Sequence, residues 1–304
     1  MNLEISVNKY LIFRTDRIGD FLLSMILIKN IKRNDKNSYI IVVSSEKNYA
    51  YIKTFNLVDE VIKLRRGFID RFKVIYKLRK HNFKFTIVHD GKKRSNFINF
   101  FLNKNKTFSV NNNQIDTTHF SKIKKIIYFM DFTFHENDLN FFIVKDFHFN
   151  LNKKNLIILH YDEKWSKSTY ISTYNDIEPN EDQLLNFIKN IRLKSSYELI
   201  ITTGVFTPVI LKSSITKIID PKVKLVEGLN FKELENLVSQ SKLLISCHGA
   251  ISHVASAYNI KQIDIIDVNK QNPYSNWTDH FREYFPIYRK NFKNLSAEIL
   301  NLII

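Results

Sequence analysis

Cysteine is nearly missing from this chain of 304 residues. The one present, Cys247, excludes an internal disulfide and any cysteine-rich zinc site. Long apolar runs are missing too. None approaches the roughly 20 residues that span a bilayer, and the opening MNLEISVNKY lacks the basic-then-apolar layout of a secretion signal. The expected location is therefore the cytoplasm. Glycine is scarce, with six in the whole chain, so each position asks for a reason. Neither G-x-G-x-x-G nor G-x-x-x-x-G-K-[ST] occurs, which excludes an ordinary dinucleotide loop or P-loop. Acid is in deficit: 46 Lys and Arg stand against 30 Asp and Glu, a formal net charge of +16. Such a surface suits an anionic partner such as nucleic acid, acidic lipid or a phosphorylated substrate. A compositional origin competes with that reading, because Lys, Asn and Ile are abundant together. The basic residues are nonetheless clustered in the first half. RRGFIDRFKVIYKLRKHNFKF (65–85) carries eight against one acid, and GKKRSNFINFFLNKNK (91–106) carries five against none.

What is present is an alternation. YLIF (10–13), YIIVV (39–43), EVIKL (60–64) and FTIVH (85–89) read as buried strands. DFLLSMILIKNIKR and FIDRFKVIYKLRKH between them have helical spacing, with Phe68, Phe72, Ile75 and Leu78 of the second on one face. FSKIKKIIYFMDF reads as a helix and DLNFFIVKDFHF (138–149) as a strand. The alternation restarts with LIILH (156–160), a helix begun by Pro179 and Asn180, and YELIITT (197–203). A helix capped by Asn230 with Glu233 as its capping-box partner follows. KLLIS (242–246), the helix AISHVASAY and QIDIID, read as the final strand, come next. The C-terminal FREYFPIYRKNFKNLSAEILNLII reads as one or two helices around Pro286. Strands alternating with helices give parallel sheets. The expected fold is α/β: two doubly wound, Rossmann-like domains, 1–150 and 151–304, facing a central cleft, with the final helix able to cross back to the first domain.

In such sheets ligands sit beyond the C-terminal ends of strands. RTDRIGDFLLS (14–24) lies at such an end. Gly19 offers either a backbone conformation closed to other residues or room for a substrate. Asp20, at a helix start, reads either as an N-cap or as a general base taking a proton from an attacking hydroxyl. The counterpart in the second half is LLISCHGAISHVASAYN (243–259). There Gly249 precedes a helix of small residues, Ala250 and Ser252 among them, whose free N–H groups favour phosphate. His248 and His253 can add charge or hydrogen bonds there, or His253 can be a satisfied core histidine. Cys247 beside His248 invites a catalytic cysteine, but a lone cysteine is more often a packing residue. In LHYDEKWSKSTY (159–170) Lys164 can reach a phosphate with Trp165 packed beneath it, or the segment is a solvated loop.

Taken in order, these pieces resemble family 9 glycosyltransferases, the heptosyltransferase-like group. LIFRTDRIGDFLLSMILIKNIK resembles that family's N-terminal motif, GLNFKELENLVSQSKLLISCHGAISHVASAYNIKQIDII its second-domain donor site, and PYSNW its Trp-containing segment. The resemblance implies a GT-B fold and inverting, metal-independent sugar transfer, with no cofactor beyond the nucleotide-sugar substrate. It implies an acceptor-binding first domain and a donor-binding second. Asp20 would be the catalytic base. Arg17, Gly19, Lys164, His248, Gly249, Ala250, Ser252 and His253 would bind substrate, with Lys164 and the Gly249 turn on the diphosphate. The implied acceptor is an anionic glycolipid or saccharide of the lipopolysaccharide kind, met at the cytoplasmic face of the inner membrane. The sequence departs from the family at SCHG, where the usual acid before Ser/Thr-Gly is absent. Two further readings remain: a non-catalytic family member, and a nucleic-acid-binding protein using Phe97, Phe100 and Phe101 among the basic residues. Those phenylalanines have helical spacing and read more simply as core.

Overall fold

A computed structural model describes residues 7–110, 118–136, 155–166, 176–267 and 274–303. The chain divides into two compact units, Met1–Asp146 with Ser275–His280, and Phe147–Tyr274 with Phe281–Ile304. The strand read over 138–149 lies outside the described residues.

The first unit holds β1 (Asn8–Arg14), β2 (Ser38–Ser44), β3 (Glu60–Lys63), β4 (Phe83–Val88) and β5 (Lys104–Ser109), all parallel, in the order β3-β2-β1-β4-β5. The crossovers carry α1 (Ile18–Asn34), α2 (Tyr49–Ile52), α3 (Phe68–Arg79) and α4 (Lys93–Phe100); α5 (His119–Phe129) follows β5. Every residue from Phe21 to Ile31 of α1 is buried. A helix buried on every side over this stretch lies inside the unit, and α5 packs on it. Its one internal amide is satisfied: Asn30 Nδ2 donates to Ile26 O at 3.0 Å, and Asn30 Oδ1 accepts from His135 N at 2.9 Å. The short α10 (Ser275–Thr278) also belongs to this unit, and its Trp277 ring lies 3.8 Å from that of His119.

The second unit holds β6 (Leu156–Tyr161), β7 (Glu198–Thr203), β8 (Val223–Val226), β9 (Leu243–Cys247), β10 (Lys261–Ile266) and β11 (Tyr284–Tyr288), again all parallel, in the order β11-β10-β9-β6-β7-β8. Its helices are α6 (Glu181–Lys194), α7 (Val209–Thr216), α8 (Phe231–Ser239), α9 (Ala250–Ala257) and α11 (Phe292–Leu302). In both units the first strand sits between the second and the fourth, so the strand order reverses beside it. The two halves are copies of one winding.

Three expectations are corrected. β10 is not the last strand: Pro286 lies in β11, whose only strand neighbour among the described residues is β10. A proline fits there because an edge strand leaves one row of N–H groups without a ladder partner. On α3, Val74, Ile75 and Leu78 are buried, but Phe68 and Phe72 are 59% and 47% exposed. On and after α4, Phe100 and Phe101 are 77% and 39% exposed, not core.

Candidate functional site

Strand order reverses between β1 and β4 in the first unit and between β6 and β9 in the second. Such switch points are where open α/β sheets bind ligands. The sequence-singled residues fall on these two places.

In the first unit the β1–α1 turn is held from several sides. Thr15 Oγ1 donates to buried Asp90 at 2.6 Å, and Ser95 Oγ donates to the same carboxylate at 2.7 Å. Arg94 donates to Thr15 O and Oγ1, and Asn48 Nδ2 to Arg14 O. Asp16 pairs with Lys92 and with Arg14. Arg14, 3% exposed, reaches from the strand end to Asp20 O at 2.7 Å and His89 O at 3.1 Å. Asp20 is the third residue of α1, and its Oδ2 accepts the Arg17 N–H at 3.1 Å. It is therefore the carboxylate of a capping box and not the N-cap, a task that engages one of its two oxygens. Gly19 lies inside the first turn of α1, whereas the glycines with left-handed φ are Gly67, Gly91 and Gly228. The conformational reason expected for Gly19 is thus absent. Asp20 lines a cavity of about 590 Å³ whose wall carries five cations, Arg17, Lys47, Arg66, Lys92 and Arg94, against three acids. A carboxylate among cations at a strand end can accept a proton from a hydroxyl of an anionic molecule held there.

In the second unit Lys164 sits in a single 3-10 turn, Glu163–Trp165, opened by Asp162, whose side chain accepts Lys164 N at 3.1 Å. Lys164 Nζ lies 3.1 Å from Asp162 Oδ2. Burial alone would lower the Lys164 pKa, but the charge and hydrogen bond of Asp162 outweigh it and raise it. The ammonium lies over Gly249: a Cβ there would meet Nζ at 2.6 Å. Gly249 is extended, with φ −174°, so space and not conformation requires it. Glu163 is seated likewise on Gly204, where a Cβ would overlap its Oε2. Two of six glycines thus make room for two consecutive side chains. Trp165 is 1% exposed, stacks on Tyr161 and donates its indole N–H to His160 O at 2.8 Å.

The start of α9 is pinned by Asp264 of β10, fully buried. Its Oδ2 accepts Tyr284 OH at 3.2 Å and lies 2.6 Å from His248 Nδ1, and its Oδ1 accepts Ser252 Oγ at 2.8 Å. Ser252 Oγ in turn accepts the Gly249 N–H at 3.2 Å. The Gly249 amide is therefore occupied, and the orphan donors of the first turn left for an anion are those of Ala250 and Ile251. His253 is buried, with its ring edge-on to Phe281 at 5.2 Å and 5.8 Å from the His248 ring. Cys247 is buried, and burial pushes its thiol up to about 12, against the opposing pull of Arg289. It is a packing residue. Arg289, 4% exposed, donates to Lys164 O at 2.7 Å and to Cys247 Sγ at 2.9 Å, tying the lysine turn to the end of β9.

The structure thus brings Arg17, Gly19 and Asp20 together in one unit, and Lys164, His248, Gly249, Ala250 and Ser252 in the other. Sequence reasoning missed Arg14, Asp90, Asp162, Asp264 and Arg289. Asp264 left one signal, an acid between two isoleucines in the strand QIDIID. Among the described residues no group of three or more His, Cys, Asp or Glu is arranged to hold a metal ion.

No family model matches the sequence, and no curated protein matches it either. Solved structures do match. The E. coli heptosyltransferase WaaC, solved with ADP and with ADP-2-deoxy-2-fluoro heptose, is similar with a TM-score of 0.69 at 11% identity, over 96% of this chain and 99% of that one. A family 9 glycosyl transferase of Veillonella parvula is similar with a TM-score of 0.65 at 10% identity, over 99% and 91%. The UDP-GlcNAc 2-epimerase of Methanocaldococcus jannaschii follows with a TM-score of 0.55 at 11% identity, over 97% and 92%. The fold is that of these proteins, the α/β GT-B architecture of two parallel sheets.

Proposed function

We propose that the chain is a family 9, heptosyltransferase-like glycosyltransferase that moves a sugar from a nucleoside-diphosphate donor to a hydroxyl of an anionic saccharide. The observation that carries the reading is the Lys164 ammonium lodged over Gly249 at the start of α9. A fixed cation beside a helix N-terminus suits a diphosphate. That one structural neighbour was solved with ADP and an ADP-sugar supports the same ligand class here.

In the proposed reaction the acceptor oxygen attacks the anomeric carbon, Asp20 takes its proton, and the bond from that carbon to the diphosphate oxygen breaks. One displacement inverts the anomeric centre. Charge grows on the leaving diphosphate, where Lys164 and the free amides of α9 stabilise it. These groups do the work a metal ion would do elsewhere. His248, held by Asp264, orients the donor, in place of the acid missing from SCHG. The cations around Asp20 fit an acceptor bearing phosphate or carboxylate, of the lipopolysaccharide kind, at the cytoplasmic face of the inner membrane. Nucleic acid is not the expected ligand.

The test is a thermal-shift screen of the protein and of Lys164→Ala against ADP-, GDP-, UDP- and CMP-sugars. One donor class raises the melting temperature of the wild type by mass action, and the variant needs at least about tenfold more of it, one charge-assisted contact being worth ~1.5–3 kcal/mol. If no nucleotide sugar stabilises the protein, the reading fails. If UDP-GlcNAc stabilises it and is epimerised without any acceptor, the fold serves the other chemistry found among its neighbours.

A further inference from the structure

Five of the side chains left exposed in the first unit belong together. Phe68, Ile69, Phe72 and Tyr76 on α3 are 59%, 73%, 47% and 86% exposed, and Phe100, at the end of α4, is 77% exposed. At roughly 100° per residue the four on α3 fall within one arc of about 100°. That arc starts where the buried face of Val74, Ile75 and Leu78 ends, and exposed Lys73 and Lys80 bound its other side. The rings are joined through partly buried Phe97. Phe68 and Phe72 meet edge to face at 4.9 Å, Phe72 and Phe97 at 6.2 Å, Phe97 and Phe101 at 5.2 Å, and Phe101 and Phe100 at 5.2 Å. Exposed Arg65, Arg66 and Lys93 border the patch, and Arg71 lies over the Phe68 ring at 5.7 Å. Lys77 is paired with Glu60 at 2.7 Å. The segment 65–85 holds a single acid, Asp70.

We infer that this α3–α4 face docks on an anionic lipid bilayer. A helix that buries one apolar face in its own domain and offers a second, flanked by cations, to the outside has the pattern of an interfacial helix. Aromatic rings suit the headgroup boundary, and the cations suit the negative surface potential. A second copy of the chain fits worse, because two such faces repel. Single-stranded nucleic acid fits worse because it stacks bases on ring faces, whereas Phe68, Phe72, Phe97, Phe101 and Phe100 are engaged with one another and Ile69 cannot stack on a base. Arg66 and Arg94 line the Asp20 cavity while Phe68 and Phe100 lie a few residues beyond them. A bilayer under this face places lipid headgroups next to that cavity, so a lipid-anchored acceptor presents its saccharide there. The docking stands without the transferase reading; the last step rests on it.

The test is flotation of the full chain with vesicles of phosphatidylcholine alone or doped with phosphatidylglycerol, beside the variant Ile69→Ser/Phe72→Ser/Phe100→Ser. These three side chains are outside the proposed catalytic and donor-binding residues. Melting temperature and the nucleotide-sugar thermal shift serve as controls that the variant is folded. The wild type floats with the doped vesicles, salt weakens the association, and the variant partitions at least about tenfold less, since buried apolar area sets the affinity. The inference is overturned if the wild type floats with neither vesicle, or if the variant partitions like the wild type. It is equally overturned if sedimentation velocity shows a dimer that the variant lacks, or if the same three side chains are needed for binding single-stranded oligonucleotide. Flotation, sedimentation, oligonucleotide binding and the melting temperature need no donor, so failure here leaves the donor screen standing, and the reverse.

Discussion

Asp20 carries two duties that substitution can separate. Asn keeps an oxygen that can accept the Arg17 N–H, so Asp20→Asn should change stability by no more than about 1 kcal/mol. It cannot take a proton, so turnover should fall by roughly 10²–10⁴-fold while the donor-induced thermal shift stays. A variant that kept most of its activity would remove Asp20 from the mechanism. Gly249 is a second separable case. An added Cβ meets the far end of a flexible lysine and no backbone atom nearer than Cys247 O at 3.8 Å. Gly249→Ala should therefore cost little stability, within about 1 kcal/mol, and displace the ammonium, so that donor titration shows weaker binding than in the wild type. Unchanged binding would show that the ammonium does not touch the donor. Both positions were visible in the sequence as residues. Their local reasons were not: Asp20 is a capping-box carboxylate bonded to an N-cap residue, Arg17, that carries no cap signal, and Gly249 is needed for space because Lys164 arrives from a distant turn.

Elements were legible where burial makes the pattern. The central strands β1, β2, β6 and β9 are nearly continuous apolar runs, and the Asn230–Glu233 capping box of α8 is present as read. Of the edge strands, β3 was read as EVIKL but β5 and β11 were not legible. β5 reads KNKTFS, mostly half-buried or exposed, and β11 contains a proline. A strand paired on one side needs neither an apolar run nor every N–H. The junction of β10 with α9 was also hidden, since Asp264 meets its partners at separations of 12, 16 and 20 residues. Asp264→Ala leaves Ser252 Oγ, His248 Nδ1 and Tyr284 OH short of their acceptor. It should cost about 1–3 kcal/mol or more, read as a lower urea midpoint, and weaken donor binding because the Gly249 turn loses its anchor. Asn230→Ala, on a helix outside both sites, should cost about 1 kcal/mol and leave donor binding alone. Equal effects of the two substitutions on donor binding would deny the Asp264 network a role at the site.

At the scale of the molecule, the repeated strand order was readable because each half restarts the same alternation, while the acid response of the fold was not. It rests on which histidines are buried. His89 is pushed well below its ordinary range by burial and then by Arg14, and His160 is lowered by burial despite Asp162. His119, against Trp277, is pushed down to about 3, by burial first and then Arg14. Each is harder to protonate in the folded chain than in the unfolded one, where it takes up a proton near pH 6.5. Below that pH the unfolded state binds more protons, so stability is complete above the unfolded value and drains away as pH falls through it. The slope is up to about 1.4 kcal/mol per pH unit for each such histidine. Carboxylates whose pKa is lowered, Asp35 and Asp220 among them, pull in the same direction but only at lower pH, where an unfolded carboxyl begins to protonate. Urea unfolding at pH 7.5 and 5.5 should thus give a clearly lower midpoint at the acid pH with an unchanged m-value. His119→Gln should remove part of that loss, read as a smaller drop in midpoint between the two pH values. A midpoint that does not move between the two pH values would mean that these rings can be protonated inside the folded protein.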